Sequence, residues 1–193
     1  MNDEQTMLSR IGDYQIIEEI GRGGYAIVYR AEDTSLKKIV ALKLLNPILF
    51  SDKRMIQAFI QEARIVSGLN HPHIVRILDL DEENGRLFMV MEFLSGGSLV
   101  QAIQKHGQPS MRLTASIIND IAEALDFAHS KGFVHGDVKP GNILLTKDIL
   151  NDKTSFKLSD FGILRAVETT SIHTTEVVTG TPYYISPEQA QSK

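Results

Sequence analysis

The feature that most constrains this chain is a change of hydrophobic period part-way along it. Residues 14–20, 26–31 and 39–45 are rich in β-branched and aromatic side chains and read as strands, with Gly21, Gly23 and Gly24 between the first two. Over residues 52–69 the apolar positions Ile56, Phe59, Ile60, Ala63 and Val66 follow helical spacing, with Ser51 or Asp52 as cap and His71-Pro72 closing the region. Residues 74–79 and 87–93 return to strand character, joined by the polar turn Asp81-Glu82-Glu83-Asn84-Gly85. Beyond Ser95-Gly96-Gly97 the pattern is helical. A short helix is expected over 98–106 and a long one over 113–130, with Leu113, Ile117, Ile121, Leu125 and Ala128 on one stripe and Gly132 as its stop. Five strands and one helix thus precede a helix-rich part, an α+β arrangement jointed at Gly96-Gly97.

Composition narrows the function classes. With 20 Lys+Arg against 24 Asp+Glu, the net charge of −4 argues against a protein that tracks nucleic-acid phosphates. A hydrophobic share of 42% excludes wholesale disorder. The absence of Cys removes disulfides and thiolate metal sites, and His71-Pro72-His73 is a poor ligand set. Residues 1–10 lack the apolar core of a secretory signal, and the apolar stretch 39–50 is broken by Lys43, Asn46 and Pro47, so no membrane span is expected. A cytoplasmic location is the expectation, with a span beyond Lys193 left open.

Three constellations carry chemistry. The run Gly21-Arg22-Gly23-Gly24-Tyr25-Ala26 fits G-x-G-x-x-A, but a strand follows it instead of the helix a dinucleotide fold requires. Two readings stay open: a hairpin turn using Gly for positive φ, or a hairpin whose backbone N–H groups lie over phosphates. Val40-Ala41-Leu42-Lys43 places an ammonium in an apolar strand, where it is costly to bury unless paired, although it could snorkel at a sheet edge. Glu62, between Phe59 and Val66 on the packed face of the expected helix, is the carboxylate available to it. Finally, His135-Gly136-Asp137-Val138-Lys139-Pro140-Gly141-Asn142 carries D-x-x-x-x-N, and Asp160-Phe161-Gly162 and Gly180-Thr181-Pro182 to Ser186-Pro187-Glu188 follow it. A simple turn is a poor explanation of that coincidence.

In this order the motifs resemble those of the eukaryotic-type (Hanks-type) protein kinases, in particular the serine/threonine branch of bacterial kind, over residues 14–193. The resemblance implies a bilobal kinase-like fold: a tail at 1–11, an antiparallel-sheet N-lobe with one helix at 12–94, and a partial helical C-lobe at 95–193. It implies ATP and Mg²⁺ (or Mn²⁺) as cofactors, protein Ser/Thr hydroxyls as acceptors, the chain itself possible among them, and a role in signal transduction. Gly21, Arg22, Gly23, Gly24, Tyr25 and Ala26 would cover the phosphates. Val28 and Ala41 would roof the adenine above Leu144, Glu92 and Leu94 would bond its edge, and Met91 would stand behind it. Lys43, held by Glu62, would bind the α and β phosphates. Asn142 and Asp160 would hold the metal, Asp137 would accept the substrate proton, and Lys139 would steady the transferring phosphate. His135 and Phe161 would stack with Val66 and Ile77 in an apolar column.

Departures qualify the match. Ala26 replaces the third glycine. Gly136 replaces the arginine that ordinarily receives an activation-loop phosphate, so activity should depend only weakly on loop phosphorylation. A Thr174→Ala, Thr175→Ala double variant losing more than about tenfold in rate would contradict this, since one lost charge-assisted contact is worth about that much. The chain stops five residues after Glu188, which implies a fragment or truncated product with the apolar back of the helix at 113–130 partly uncovered. Two rivals remain: a small-molecule phosphotransferase of the aminoglycoside or choline kind, which His135-Gly136-Asp137 would suit, and an ATP-binding pseudokinase acting as a scaffold.

Overall fold

The computed structural model describes residues 9–46, 52–161 and Tyr184. The chain divides into two compact units, Met1–Asp52 with Ile77–Phe93 and Lys53–Arg76 with Leu94–Lys193.

The first unit is a six-stranded antiparallel sheet of β1 (Arg10–Ile11), β2 (Tyr14–Arg22), β3 (Ala26–Asp33), β4 (Lys38–Leu45), β5 (Ile77–Glu83) and β6 (Arg86–Glu92), ordered β1-β2-β3-β4-β6-β5. β1 corrects the expectation of five strands, because residues 10–11 lie in the stretch read as a tail. Ile11 is fully buried, and that burial holds the short strand against β2. The turn expected over Asp81 to Gly85 is also corrected. Asp81, Glu82 and Glu83 pair with Phe88, Leu87 and Arg86, leaving only Asn84 and Gly85 as a turn, both at positive φ. Acidic side chains sit on β5 because it is an edge strand with solvent beside it, so polarity there does not signal a loop. That strand also begins later than residue 74: Ile74 is buried in the second unit, bridged to Leu158.

Register divides the sheet into two faces. Ala31, Val40, Leu42, Leu44, Phe88 and Val90 form one apolar core with Ile11, flanked by Tyr14, Ile16 and Tyr29. Tyr14 meets Phe88 edge-on at 6.0 Å between ring centroids. Because strand side chains alternate, Gly21, Ala26, Val28, Ala41, Lys43, Met89 and Met91 fall on the opposite face, tied by the pairs Gly21↔Val28, Val28↔Lys43, Lys43↔Met89 and Ala41↔Met91.

The second unit carries α1 (Lys53–Ser67), α2 (Leu99–His106), α3 (Met111–Ser130) and a two-stranded sheet of β7 (Ile143–Leu145) and β8 (Phe156–Leu158). In α1 the buried residues Met55, Ala58, Phe59, Glu62, Ala63 and Val66 form a stripe of 3.6 period. The helix stops at Ser67, ahead of His71-Pro72, as the N–H groups of Gly68 and Leu69 bond back to Ile65 and Val66. Sequence periodicity grouped this helix with the strands, whereas its contacts group Lys53–Arg76 with the second unit. There its C-terminal end shares a shallow cavity of about 290 Å³ with Lys131 and Phe133.

Ser98 caps α2 through a reciprocal capping box with Gln101, and Ser110 caps α3 by accepting from the Leu113 N–H. Ile117, Ile121, Ala124 and Ala128 are buried, and Gly132 ends α3 at φ +81°. On the outer face of α3, Ile118 is 63% exposed. The glycines read as a joint do different work. A Cβ on Gly96 would lie 2.1 Å from the Lys147 carbonyl oxygen, so only Gly lets this segment bond to Leu145, while Gly97 takes φ +70°.

Candidate active site

The segment from His135 to Asn142 follows α3 and ends in a 3₁₀ turn, Pro140–Asn142, that leads into β7. Gly136 adopts φ +76°, in the left-handed region that L side chains avoid. Its neighbours are bound tightly. The Asp137 N–H donates to His135 Nδ1 at 3.2 Å, and the Asn142 side-chain amide donates to the Asp137 carbonyl and to its Oδ2 at 2.8 and 3.0 Å. Lys139 Nζ reaches the same Oδ2 at 2.7 Å. The Asn142 nitrogen being committed to Asp137, its amide oxygen is the atom it can offer to a cation.

His135 is buried and lies 4.6 Å from Phe161 between ring centroids. Its Nε2 is 3.0 Å from the Ser159 carbonyl oxygen, which can only accept, so Nε2 carries the proton and Nδ1 is the acceptor for Asp137 N–H. Burial holds its pKa below the ordinary imidazole value, against smaller opposing effects of the Ser159 bond and of Asp160 and Asp137. The ring is neutral and packs, as expected. Of the expected column, this stacking of His135 on Phe161 is the observed part; Val66 is buried in α1, and Ile77 belongs to the first unit.

Asp160 takes φ +56°, a conformation Asp tolerates better than most residues, so that an exposed Asp160 adjoins a buried Phe161. A second anchor holds β8. His73 Nδ1 donates to the Phe156 carbonyl at 2.9 Å, and the Phe156 N–H donates to Asp120 Oδ2 at 3.1 Å. Sequence reading assigned no role to His73, Asp120 or Ser159. Only the position of Ser159 next to Asp160 hinted at one.

The donor set fits a hard cation: an amide oxygen from Asn142 and a carboxylate from Asp160. Among the described residues no group of three or more His, Cys, Asp or Glu could hold a metal ion. A two-oxygen protein set suits Mg²⁺ or Mn²⁺, which complete their shell with phosphate and water oxygens.

In the first unit, Gly21 and Arg22 end β2 and Ala26 begins β3, and the turn between them is closed by Gly23 N–H to the Ala26 carbonyl at 2.9 Å. The reading of these glycines as positive-φ turn formers is corrected, since Gly21, Gly23 and Gly24 have no positive φ. A Cβ at Gly24 would meet nothing within 4 Å, and at Gly21 only ordinary contact. Arg22 bonds Glu19 on the same strand, and Tyr25 accepts from Asn46 N–H at 2.8 Å. Lys43 is 7% exposed and Glu62 4% exposed, within β4 and α1 respectively. Both are too buried for a snorkelling lysine or a solvated glutamate. Glu92 ends β6, Leu94 opens the second unit, and Leu144 sits in β7 paired with Lys157.

The protein kinase domain family matches residues 14–193. The chain belongs to that family. Among related kinases, the probable serine/threonine-protein kinase PknB of Lactococcus lactis is 40% identical over 179 residues, 92% of this chain and 28% of the relative. PrkC of Bacillus subtilis is 40% identical over 180 residues (93% of this chain, 27% of the relative), and PknD of Mycobacterium tuberculosis 40% over 183 (94% and 26%). The chain therefore spans about a quarter of the length of the relatives it matches. The crystal structure of Rad53 1–466 in complex with AMP-PNP superimposes with a TM-score of 0.73 at 31% identity, covering 93% of this chain and 43% of that one. The fold of this kinase-family chain is accordingly the protein kinase fold. Gly162 and the segment holding Thr169, Thr170, Ser171, Thr174, Thr175, Thr181 and Ser186 to Glu188 lie outside the described residues. No helix among the described residues is long and apolar enough to cross a membrane.

Proposed function

We propose that this chain is the catalytic part of an ATP- and Mg²⁺-dependent protein serine/threonine kinase acting in signal transduction. The observation that carries the reading is the convergence of Lys139 and the Asn142 amide on one oxygen of Asp137, in a kinase-family chain whose Lys43 and Glu62 are both buried. Phosphoryl transfer asks a protein for position and charge stabilisation rather than covalent chemistry. In this reading the Asp137 carboxylate orients the acceptor hydroxyl and takes its proton as the oxygen attacks the γ-phosphorus, the bond from that phosphorus to the β-phosphate oxygen breaking to release ADP. Lys139, already on Asp137 Oδ2, turns its charge to the transferring phosphoryl oxygens. Lys43, partnered by Glu62, holds the α and β phosphates. Asn142 and Asp160 would hold the metal, which would supply positive charge to the phosphate oxygens when bound.

The glycine turn supports the same reading. Its glycines are demanded neither by backbone conformation nor by local crowding, which leaves close approach of a ligand as their use. Val28, Ala41 and Met91 share the sheet face of Lys43 and would take the base with Leu144, bonded through Glu92 and Leu94. Acceptors are Ser/Thr hydroxyls of proteins, this chain among them. Lys139, two residues after Asp137, together with the serine/threonine kinase names of the relatives, sets this above an aminoglycoside- or choline-type acceptor.

The test is label transfer from [γ-³²P]ATP to a basic protein, to the chain itself, and to aminoglycosides and choline in parallel. Transfer to protein that Asp137→Asn abolishes supports the proposal. Transfer to a small molecule alone, or Mg²⁺-dependent ATP binding without turnover in the full-length gene product, overturns it.

A further inference from the structure

Ser159 has no role in the reading above, yet it completes a closed hydrogen-bond circuit. Its N–H and its hydroxyl both donate to the Asn142 carbonyl, at 2.9 and 3.1 Å, and its carbonyl accepts from His135 Nε2 at 3.0 Å. His135 Nδ1 accepts from Asp137 N–H at 3.2 Å, and Asn142 Nδ2 returns to the Asp137 carbonyl at 2.8 Å. The ring runs Asp137, His135, Ser159, Asn142 and back to Asp137. It joins the proton acceptor to both metal-holding residues, since Asp160 follows Ser159 directly.

Any residue but proline supplies the N–H bond. The hydroxyl bond depends on the side chain at position 159, which is buried at 7% exposure and donates to the Asn142 carbonyl. The Ile143↔Leu158 pairing next to it already holds the two backbones in register, and a second donor on the Asn142 carbonyl fixes the direction of that carbonyl more closely than one.

We propose that Ser159 is a positioning residue that sets the spacing of the two metal-holding side chains, Asn142 and Asp160. The assignment rests on the kinase reading and deepens it. The prediction concerns metal affinity above all, because the N–H bond and the apolar packing of Phe161 survive loss of the hydroxyl.

The experiment measures Mn²⁺ binding by electron paramagnetic resonance to the 193-residue chain, with a non-hydrolysable ATP analogue present. Ser159→Ala should weaken Mn²⁺ binding about three- to tenfold, the range one net hydrogen bond commands. Ser159→Thr, which keeps the hydroxyl, should recover it, and nucleotide binding in EDTA should be the same for all three. Equal Mn²⁺ affinity in wild type and Ser159→Ala overturns the assignment alone. So does a lowered melting temperature with metal affinity unchanged, which marks a purely structural hydroxyl. A wild-type chain that binds no Mn²⁺ with nucleotide overturns the kinase reading and this assignment with it. Should Ser159→Ala fail to fold, Ser159→Cys keeps the volume with a much weaker donor and yields the same comparison.

Discussion

The β2–β3 turn and the loop from His135 to Asn142 are both glycine-bearing connections assigned to phosphate chemistry, and they are built in opposite ways. In the turn, three glycines have ordinary φ and open or ordinary surroundings, and the turn is closed by a backbone bond from Gly23 to Ala26. In the loop, Gly136 takes a left-handed conformation and the polar groups of His135, Asp137, Lys139 and Asn142 bond to one another. A group that takes a proton must be held in place before the reaction. Backbone that covers phosphates needs only to come close, which side chains would hinder. Glycine therefore means different things in the two regions, and substitutions separate the meanings.

The largest expected effect is Asp137→Asn, which removes the proposed proton acceptor while its amide oxygen can still accept from Lys139 and Asn142. Label transfer should fall about 10²- to 10⁴-fold, the usual worth of a positioned general base, with ATP binding nearly unchanged. A loss of ATP affinity as large as the loss of rate would show that the loop binds rather than acts.

Next is Gly96→Ala, a glycine of the second unit required by crowding. With a Cβ 2.1 Å from the Lys147 carbonyl oxygen and 2.6 Å from Leu145 Cβ, the segment must move off β7, and thermal or urea unfolding should show a loss of about 3 kcal/mol. Wild-type stability in Gly96→Ala would break the distinction between glycines required by the fold and glycines that are not.

A smaller effect concerns pH. The folded state holds the His135 pKa below the unfolded value of about 6.5, so below that pH the unfolded chain binds more protons. His135 thus contributes stability that is complete above the unfolded pKa and declines as pH falls through it towards the folded value. The slope is at most about 1.4 kcal/mol per pH unit for one proton. Since burial also lowers the pKa of His71, urea melts of His135→Gln and His71→Gln beside wild type would apportion the acid lability. A His135→Gln profile as steep as wild type would remove His135 from the account.

Smallest is Gly24→Ala. With nothing near the added methyl, stability should hold or rise by up to about 1 kcal/mol as the unfolded chain loses freedom. ATP affinity should weaken by equilibrium binding. Destabilisation would show that the turn, like Gly96, needs its glycine for the fold.

Several elements were legible in the residues because short-range patterns specify them. The stripe of α1 and the Gly132 stop after α3 depend on neighbours within a turn of helix. β1 was not legible, because two residues carry no period and are held only by burial of Ile11 in a core assembled from distant strands. Acidic β5 resembled a turn for the same reason: an edge position is a property of the sheet, absent from the segment. The spacing of Asp137 and Asn142 marked them as a pair, and their side chains meet at 3.0 Å. That Ser159 closes their ring, and that Gly96 abuts Lys147, could not be read from residues 17 and 51 positions apart in the chain. The amino-acid order determined which chemical groups are present and the local elements that bear them. Tertiary structure alone decided which buried donors meet which acceptors, because hydrogen bonds and steric limits act over a few ångströms and only the folded chain brings such distant residues that close.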